Sequence, residues 1–134
     1  MENPYKTPEE VVSEALKRCR EARRMSQQDV ANRMSRLGLN WAHTTCSLLE
    51  RGKRGLSVNE FVALALVLEV RPSALLSSDG PVAVGARDVV PRDTFNNWMK
   101  GNHAMGLDPD SQTGLRMIVE VGQTVDEATP TEEE

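Results

Sequence analysis

The chain has 134 residues, the length of one compact domain or of one small domain with an extension, which excludes a large two-domain enzyme. Hydrophobic residues make up 39% of the sequence and the formal net charge is −4, so part of the chain can bury a core and a uniformly basic protein is excluded. Two cysteines are too few for a disulfide-stapled scaffold, and no apolar run of about eighteen residues is present that could span a membrane. The N-terminal segment is not apolar, which excludes a signal peptide. We therefore expect a soluble cytoplasmic protein without a membrane partner.

Two helices are predicted in the first part of the chain. Thr7 and Glu10 form a capping box around Pro8, which predicts a helix from there to about Arg24. Its apolar face has helical spacing and consists of Val12, Ala15, Leu16, Cys19 and Ala22. Ser26 can cap a second, short helix that ends before Gly38. The apolar stripe of this helix consists of Val30, Ala31 and Met34.

Three more helices are predicted as far as residue 77. The third begins near His43 or Thr44 and ends at Gly52, with Cys46 and Leu49 as its inward positions. A second capping box starts the fourth helix at Ser57, and Pro72 starts a short fifth. The buried face of the fourth helix consists of Phe61, Leu64, Ala65 and Leu68. We therefore predict an all-α domain of five helices over residues 8–77.

The composition changes after this region. Residues 82–84 are at most a short extended piece, and Asp93 to Lys100 can form one amphipathic helix. The segment after Asp108 can start a helix, but its β-branched residues leave a strand open. We predict an α-rich or mixed C-terminal extension over 78–125 and a disordered acidic tail over 126–134.

Positive charge is concentrated in the predicted helical region. Residues 1–78 hold twelve lysines or arginines against nine acidic residues, a net charge of +3, whereas residues 79–134 hold four against eleven, a net charge of −7. Within residues 17–54 ten basic residues face three acidic ones, a net charge of +7. This asymmetry indicates a partner that carries phosphates.

The second and third predicted helices have the order and spacing of a helix-turn-helix. Residues 26–31 read SQQDVA, residues 41–54 read WAHTTCSLLERGKR, and an apolar fourth helix follows. Together with Arg20 in the first helix, this pattern closely resembles the Xre or lambda-repressor-like DNA-binding family over about residues 10–77. The resemblance implies a five-helix lambda-repressor-like fold that binds double-stranded DNA.

The helix over 43–51 is, by this resemblance, the one that enters the major groove. Its exposed positions are expected to contact bases, and they are His43, Thr44, Ser47 and Leu48. An alternative is that His43 and Thr44 only cap the helix start, because Ala42 stands where the family usually has a hydroxyl.

Other positions are expected to grip phosphates or to hold the domain together. The expected phosphate contacts are Gln27, Arg36, Lys53 and Arg54, although Gln27 can also be a solvated surface side chain. The resemblance implies a structural ion pair between Arg20 and Glu50. Trp41, in a connection longer than that of the shortest family members, is expected to pack across the turn rather than stack on a base.

Functions from other classes have little support in the sequence. Two histidines and two cysteines form no hydrolytic set, and no glycine-rich phosphate loop is present, so we expect neither an enzyme nor a cofactor. His43 and Cys46 have metal-ligand spacing, but two ligands alone do not predict zinc. An antitoxin or a protein-interaction adaptor is the stronger alternative, since the same fold serves in both.

The resemblance also implies a specific kind of regulator. The connection before Trp41 looks like that of actinobacterial and actinobacteriophage members, which suggests a phage immunity repressor or a prophage-type regulator. Family members usually bind near-palindromic operators as homodimers. The apolar residues of the second half can form the dimer contact or pack back onto the first domain; they are Phe95, Trp98, Met99, Leu115 and Ile118.

Overall fold

The computed structural model describes residues 4–86, 88–110 and 114–118. The tail predicted to be disordered, residues 126–134, lies outside the described residues. The elements in chain order are α1 (Pro8–Ala22), α2 (Gln27–Arg36), α3 (His43–Glu50), α4 (Val58–Leu68), α5 (Pro72–Leu75), β1 (Val82–Val84), β2 (Asp88–Val90), α6 (Arg92–Met99), β3 (Ala104–Leu107) and β4 (Leu115–Ile118).

Capping boxes begin three of these helices, as predicted. The Thr7 hydroxyl accepts the Glu10 amide at 3.2 Å while the Glu10 carboxylate accepts the Thr7 amide at 2.8 Å. The same reciprocal pairs form at the starts of α2 and α4. Helix α1 ends at Ala22, two residues earlier than predicted, because Arg24 adopts a left-handed conformation with φ of 57°.

The five predicted helices over residues 8–77 pack around one apolar core. Its fully buried side chains come from every one of these helices; they include Leu16, Met34, Leu49, Leu64, Leu68 and Leu75. Helices α2 and α3 pack closely against each other and are joined by the 37–42 connection. This packing fixes which face of α3 is buried and which stays at the surface.

The described part of the extension is mixed rather than all-α. Strands β1 and β2 form an antiparallel hairpin with Val82 opposite Val90, and β3 and β4 form a second hairpin. Of the two possibilities after Asp108, the strand is the one that forms: residues 115–118 are β4, because they find a partner strand in residues 104–107.

The extension packs back onto the first domain through a second apolar cluster. Phe95 of α6 is buried together with Val82 and Val90, and all three meet Val11 of α1. Trp98, Met99 and Leu115 pack against the same cluster. Four of the five apolar side chains named for the second half thus pack onto the first domain, whereas Ile118 lies against Gly106 of β3; a dimer contact stays a prediction. No helix among the described residues is long and apolar enough to cross a membrane.

Candidate nucleic-acid interface

Helix α3 is anchored on one face and open on the other. Cys46 and Leu49 are buried in the core, as predicted. His43 and Thr44 are exposed, Ser47 is half-buried, and the exposed fraction of Leu48 is 37%. The four residues predicted to contact bases therefore share the surface side of one short helix.

The start of α3 is held by Thr45, which is not among the predicted site residues. Ala42 is the N-cap residue and has no side-chain oxygen, but the Thr45 hydroxyl accepts the Ala42 amide at 3.1 Å. Thr45 thus supplies one half of a capping box. In the part of the chain that the structure describes, the side chains of His43 and Thr44 make no capping bond, so the capping alternative is not what the structure shows.

The C-terminal end of α3 is held by an ion pair between Arg20 and Glu50. The Arg20 guanidinium donates from Nε to Glu50 Oε2 at 2.5 Å and from Nη2 to Oε1 at 3.0 Å. The two side chains are 11% and 5% exposed. A third nitrogen, Nη1, donates to the Met25 carbonyl at 2.9 Å. One bidentate guanidinium therefore ties α1, the turn before α2 and the end of α3 together.

Gln27 joins this pair rather than lying free on the surface. Its side-chain amide donates to Glu50 Oε1 at 3.1 Å, so the first residue of α2 is linked to the last residue of α3. Gln27 is therefore not simply a solvated surface side chain, and its phosphate contact stays a prediction. The bond to Glu50 leaves the N-terminus of α2 fixed beside the end of α3.

Buried hydrogen bonds set the protonation of the groups around Glu50. Burial alone would raise the pKa of Glu50, but hydrogen bonds from Arg20 and Gln27 outweigh burial and hold the pKa below its usual value. Burial, followed by the nearby Glu50 charge, raises the pKa of the Cys46 thiol to about 12. Cys46 therefore stays protonated and donates to Glu50 at 3.5 Å.

Among the described residues no three histidines, cysteines or carboxylates form a metal-binding group.

A second network joins Trp41, in the connection before α3, to Arg54 after α3 and to Glu60 of α4. Arg54 donates to both carboxylate oxygens of Glu60, at 2.8 Å and 3.2 Å, and its guanidinium carbon lies 5.4 Å from the centre of the Trp41 ring. The indole nitrogen donates to the same carboxylate at 3.0 Å. Trp41 is 6% exposed, which confirms that it packs across the turn.

This network changes the interpretation of Arg54. A phosphate contact is predicted for its guanidinium, but in the structure a carboxylate and a ring hold that group. No local sequence signal connects Glu60 with residues 41 and 54. The phosphate contact of Arg54 stays a prediction.

The hydrogen bonds to Glu60 also make the domain sensitive to acid. The bidentate contact from Arg54, aided by the Ser57 amide and Trp41 and opposed by burial, lowers the pKa of Glu60 to about 2. A carboxyl whose pKa falls on folding stabilises the protein above its unfolded value, near 4.5, and this contribution is lost as the pH falls towards 2. The pKa of Glu50 is also lowered in the folded protein, so Glu50 likewise stabilises the protein less as the pH falls.

We therefore expect the urea midpoint of unfolding to fall when the pH is lowered from about 5 to about 3. The Glu60→Gln variant has one fewer such carboxyl, so it should be less stable at about pH 5 and lose less on acidification. Equal losses for the two proteins would contradict this role for Glu60.

Lys53 lies in the exposed turn directly after α3. Gly52 has a φ of 71°, a left-handed conformation that favours glycine, and the Lys53 amide then bonds to the Leu48 carbonyl at 2.8 Å. The backbone that carries Lys53 is thus fixed against the end of the helix. Its ammonium is solvent-exposed, as a phosphate contact requires.

Arg36 is placed at the other end of α2 from Gln27. By the rise of an α-helix the two residues are separated by about 14 Å along the axis. Arg36 lines a surface groove with Leu37 of the following turn and with Leu66 and Val67 of α4. The structure therefore does not bring Arg36 together with the first residue of α2, and its phosphate contact stays a prediction.

One of three comparisons with known proteins gives a match, and it agrees with this geometry. Residues 16–75 match a family model described as Helix-turn-helix. The matched range runs from within α1 to the end of α5 and contains all the side chains predicted to contact DNA. Comparison with curated proteins gives no match, and comparison with solved structures gives none.

Proposed function

Because residues 16–75 are a helix-turn-helix domain of the Xre and lambda-repressor-like family, we propose that this chain is a transcriptional regulator that binds double-stranded DNA at specific sequences. The observation that carries the proposal is the orientation of α3. Cys46 and Leu49 hold it in the core while Thr44 and Leu48 are exposed on its outer side. A short helix held in this way can enter the major groove.

In this proposal the side chains of α3 read base edges. His43 can donate to guanine N7 or O6, the Thr44 methyl can contact a thymine methyl, and the Ser47 hydroxyl can bond to either kind of pair. Leu48 adds an apolar contact. The bidentate pair of Arg20 and Glu50 positions the helix without touching DNA.

Phosphates are gripped on either side of α3. The N-terminus of α2, which begins at Gln27, offers free amides and the positive end of a helix dipole. Lys53 supplies an exposed cation beyond the other end of α3. For Arg54 we propose a positioning role, since its guanidinium already holds Glu60.

The finer parts of the function rest on the family resemblance. We propose that the chain is a repressor of the phage immunity or prophage type, that it binds a near-palindromic operator as a homodimer, and that it acts by obstructing polymerase. This mode of action involves no catalysis and no cofactor.

A salt titration of DNA binding tests the proposal. A binder that makes several phosphate contacts loses affinity steeply with salt, by about 0.9 logarithmic units of Kd per contact for each tenfold rise in salt. We expect Lys53→Ala to weaken binding to all duplexes alike and to flatten this slope by about one unit. Lys17→Ala, an exposed change on α1, is the control and should leave the slope unchanged.

Two outcomes would count against this assignment. If the unmodified chain retards no duplex at low salt, the alternative of an antitoxin-like or adaptor protein is favoured. If Lys53→Ala and Lys17→Ala give the same slope as the unmodified chain, Lys53 does not contact phosphate.

A further inference from the structure

A groove lined by cations lies between α1, α5 and the end of α6. Its volume is about 550 Å³, and four basic side chains line it: Arg18, Arg23, Arg71 and Lys100. Among the described residues its lining contains one acidic side chain, Glu69. Four cations against one anion leave a net charge of +3, and we call this surface the basic groove.

Two cations of the basic groove are available to a ligand. Arg71 lies at the start of α5 and Lys100 at the end of α6, and both are exposed. In the part of the chain that the structure describes, neither side chain lies within ion-pair distance of a carboxylate. The described residues therefore leave both charges without a counter-ion.

The other two cations are held in place but keep free donors. Arg23 donates from Nη1 to the Glu69 carboxylate at 3.3 Å and from Nη2 to the Glu69 carbonyl at 2.7 Å. Arg18 donates from Nη2 to the Ser77 carbonyl at 3.2 Å. Because a guanidinium has five N–H donors, each of these arginines retains donors for an anion.

Between the cations the surface of the basic groove is less polar. Cys19, Val70 and Ala74 line it and are half-buried, whereas the four cations around them are exposed. A mainly apolar surface with a few charged groups is typical of small-molecule sites, whose volumes are about 300–1,000 Å³. The basic groove therefore has the size and the chemistry to hold an organic anion.

The basic groove is separate from the exposed side of α3. Successive residues of a helix are turned by about 100°, so Arg18 projects from nearly the opposite side of α1 to Arg20, which holds the end of α3. The described lining of the groove includes no residue of α3. A DNA contact at α3 therefore does not account for this cluster of cations.

We infer that the basic groove binds a nucleoside di- or triphosphate. Arginine forms paired hydrogen bonds with phosphate oxygens, and a net charge of +3 favours a ligand with several negative charges. The phosphates lie between the guanidinium groups and Lys100, and the base covers Val70 and Ala74. A ligand with a single carboxylate would leave most of these cations unpaired.

This inference goes beyond the proposed function and does not depend on it. The groove is lined by α1 and α5 of the first domain and by Lys100 of the extension, so a bound nucleotide contacts both. A ligand that binds only the folded chain stabilises it by mass action. We therefore expect the nucleotide to raise the melting temperature of the full chain.

Calorimetric titration of the full chain with ADP, at low salt and without magnesium, tests the site. We expect one ADP to bind per chain with a Kd below about 1 mM. Adenosine has the same base and sugar but no phosphate, so it should bind at least about tenfold more weakly, since it loses every hydrogen bond to the cations. The melting temperature should rise with ADP and not with adenosine.

Single substitutions test which side chains bind the phosphates. Arg71→Gln and Lys100→Gln should each weaken ADP binding about three- to tenfold, because each removes one charge from the site. Lys17→Gln removes an exposed cation of α1 that does not line the groove, and it is the matched control. Glu69→Gln removes the opposing charge and should tighten ADP binding several-fold, which a loss of folding cannot produce.

Gel retardation separates the nucleotide from duplex DNA as the occupant of the groove. Arg71→Gln and Lys100→Gln should bind a duplex no more weakly than Lys17→Gln does, because the groove lies apart from α3. Thermal melting of each variant verifies that it is folded.

Three results would overturn the inference. One is an ADP titration that shows no binding at about 1 mM, or adenosine that binds as tightly as ADP. Another is an equal affinity for ADP in Arg71→Gln, Lys100→Gln and Lys17→Gln. The third is a selective loss of duplex affinity in the two groove variants, which would make the groove part of the DNA interface instead.

Discussion

Replacing Arg20 with alanine is expected to lower the free energy of unfolding by about 3–5 kcal/mol. The Glu50 carboxylate is 5% exposed and receives both of its short hydrogen bonds from this one guanidinium. Without Arg20 it would keep only the bonds from Gln27 and Cys46, leaving a buried charge without a counter-ion. The Met25 carbonyl would also lose its donor. Urea unfolding of the full chain measures the loss.

Two further variants separate the ion pair from general effects on α1. Lys17→Ala truncates an exposed cation on the same helix and should change stability by less than about 0.5 kcal/mol. The double variant Arg20→Met/Glu50→Met removes both charges together and should recover a large part of the loss, because buried ion pairs often give way to apolar pairs at little cost. A double variant as unstable as Arg20→Ala would show that the lost charge balance is not the cause.

Replacing Trp41 with alanine is expected to cost a similar amount, about 3–5 kcal/mol. The indole is 6% exposed, so its removal leaves a cavity between the connection before α3 and the core. The change also removes the Nε1 donor to Glu60 and the ring beneath the Arg54 guanidinium. Thermal and urea unfolding both report this effect.

The variant Trp41→Phe divides the loss into its two causes. Phenylalanine retains an aromatic ring that fills most of the cavity but has no donor for Glu60, so a cost of about 1–2 kcal/mol is expected. If Trp41→Phe were as damaging as Trp41→Ala, the hydrogen bond rather than packing would dominate. If neither variant were destabilised, packing of the connection before α3 onto the core would not depend on Trp41.

Features set by neighbouring residues could be predicted from the sequence. The capping boxes at Thr7, Ser26 and Ser57 lie within single turns, and all three form as expected. The inward positions Cys46 and Leu49 follow from the helical period, and both are buried. Local hydrogen bonds and periodicity are properties of a short segment, and that is why these predictions succeed.

Features that join distant segments could not be predicted in this way. The contact of Arg54 with Glu60 and Trp41 depends on how the connection before α3 folds over the start of α4, which no local spacing encodes. The bond from Gln27 to Glu50 likewise depends on the crossing of α2 and α3. Long-range pairing needs the tertiary fold, so charge counts alone could not tell Arg54 from Lys53.

The C-terminal extension also contains long-range contacts that local sequence patterns do not predict. Its second strand pair joins residues 104–107 to residues 115–118, and neither segment has a strong alternating pattern. The burial of Phe95 against Val11 brings together residues from opposite parts of the chain. An apolar pattern in the sequence predicts that these side chains are buried, but it does not predict which residues they pack against.

Selection of bound fragments from a pool of random duplexes tests most directly whether α3 reads DNA sequence. For the unmodified chain we expect enrichment of a short motif, arranged as two half-sites about 10 base pairs apart if the protein binds as a dimer. The variant Thr44→Ala/Ser47→Ala should still retard duplex DNA, because its phosphate contacts remain, but should no longer enrich the bases beneath those side chains. If the variant enriched the same motif with the same affinity, or if the unmodified chain enriched none, α3 would not be the element that reads DNA.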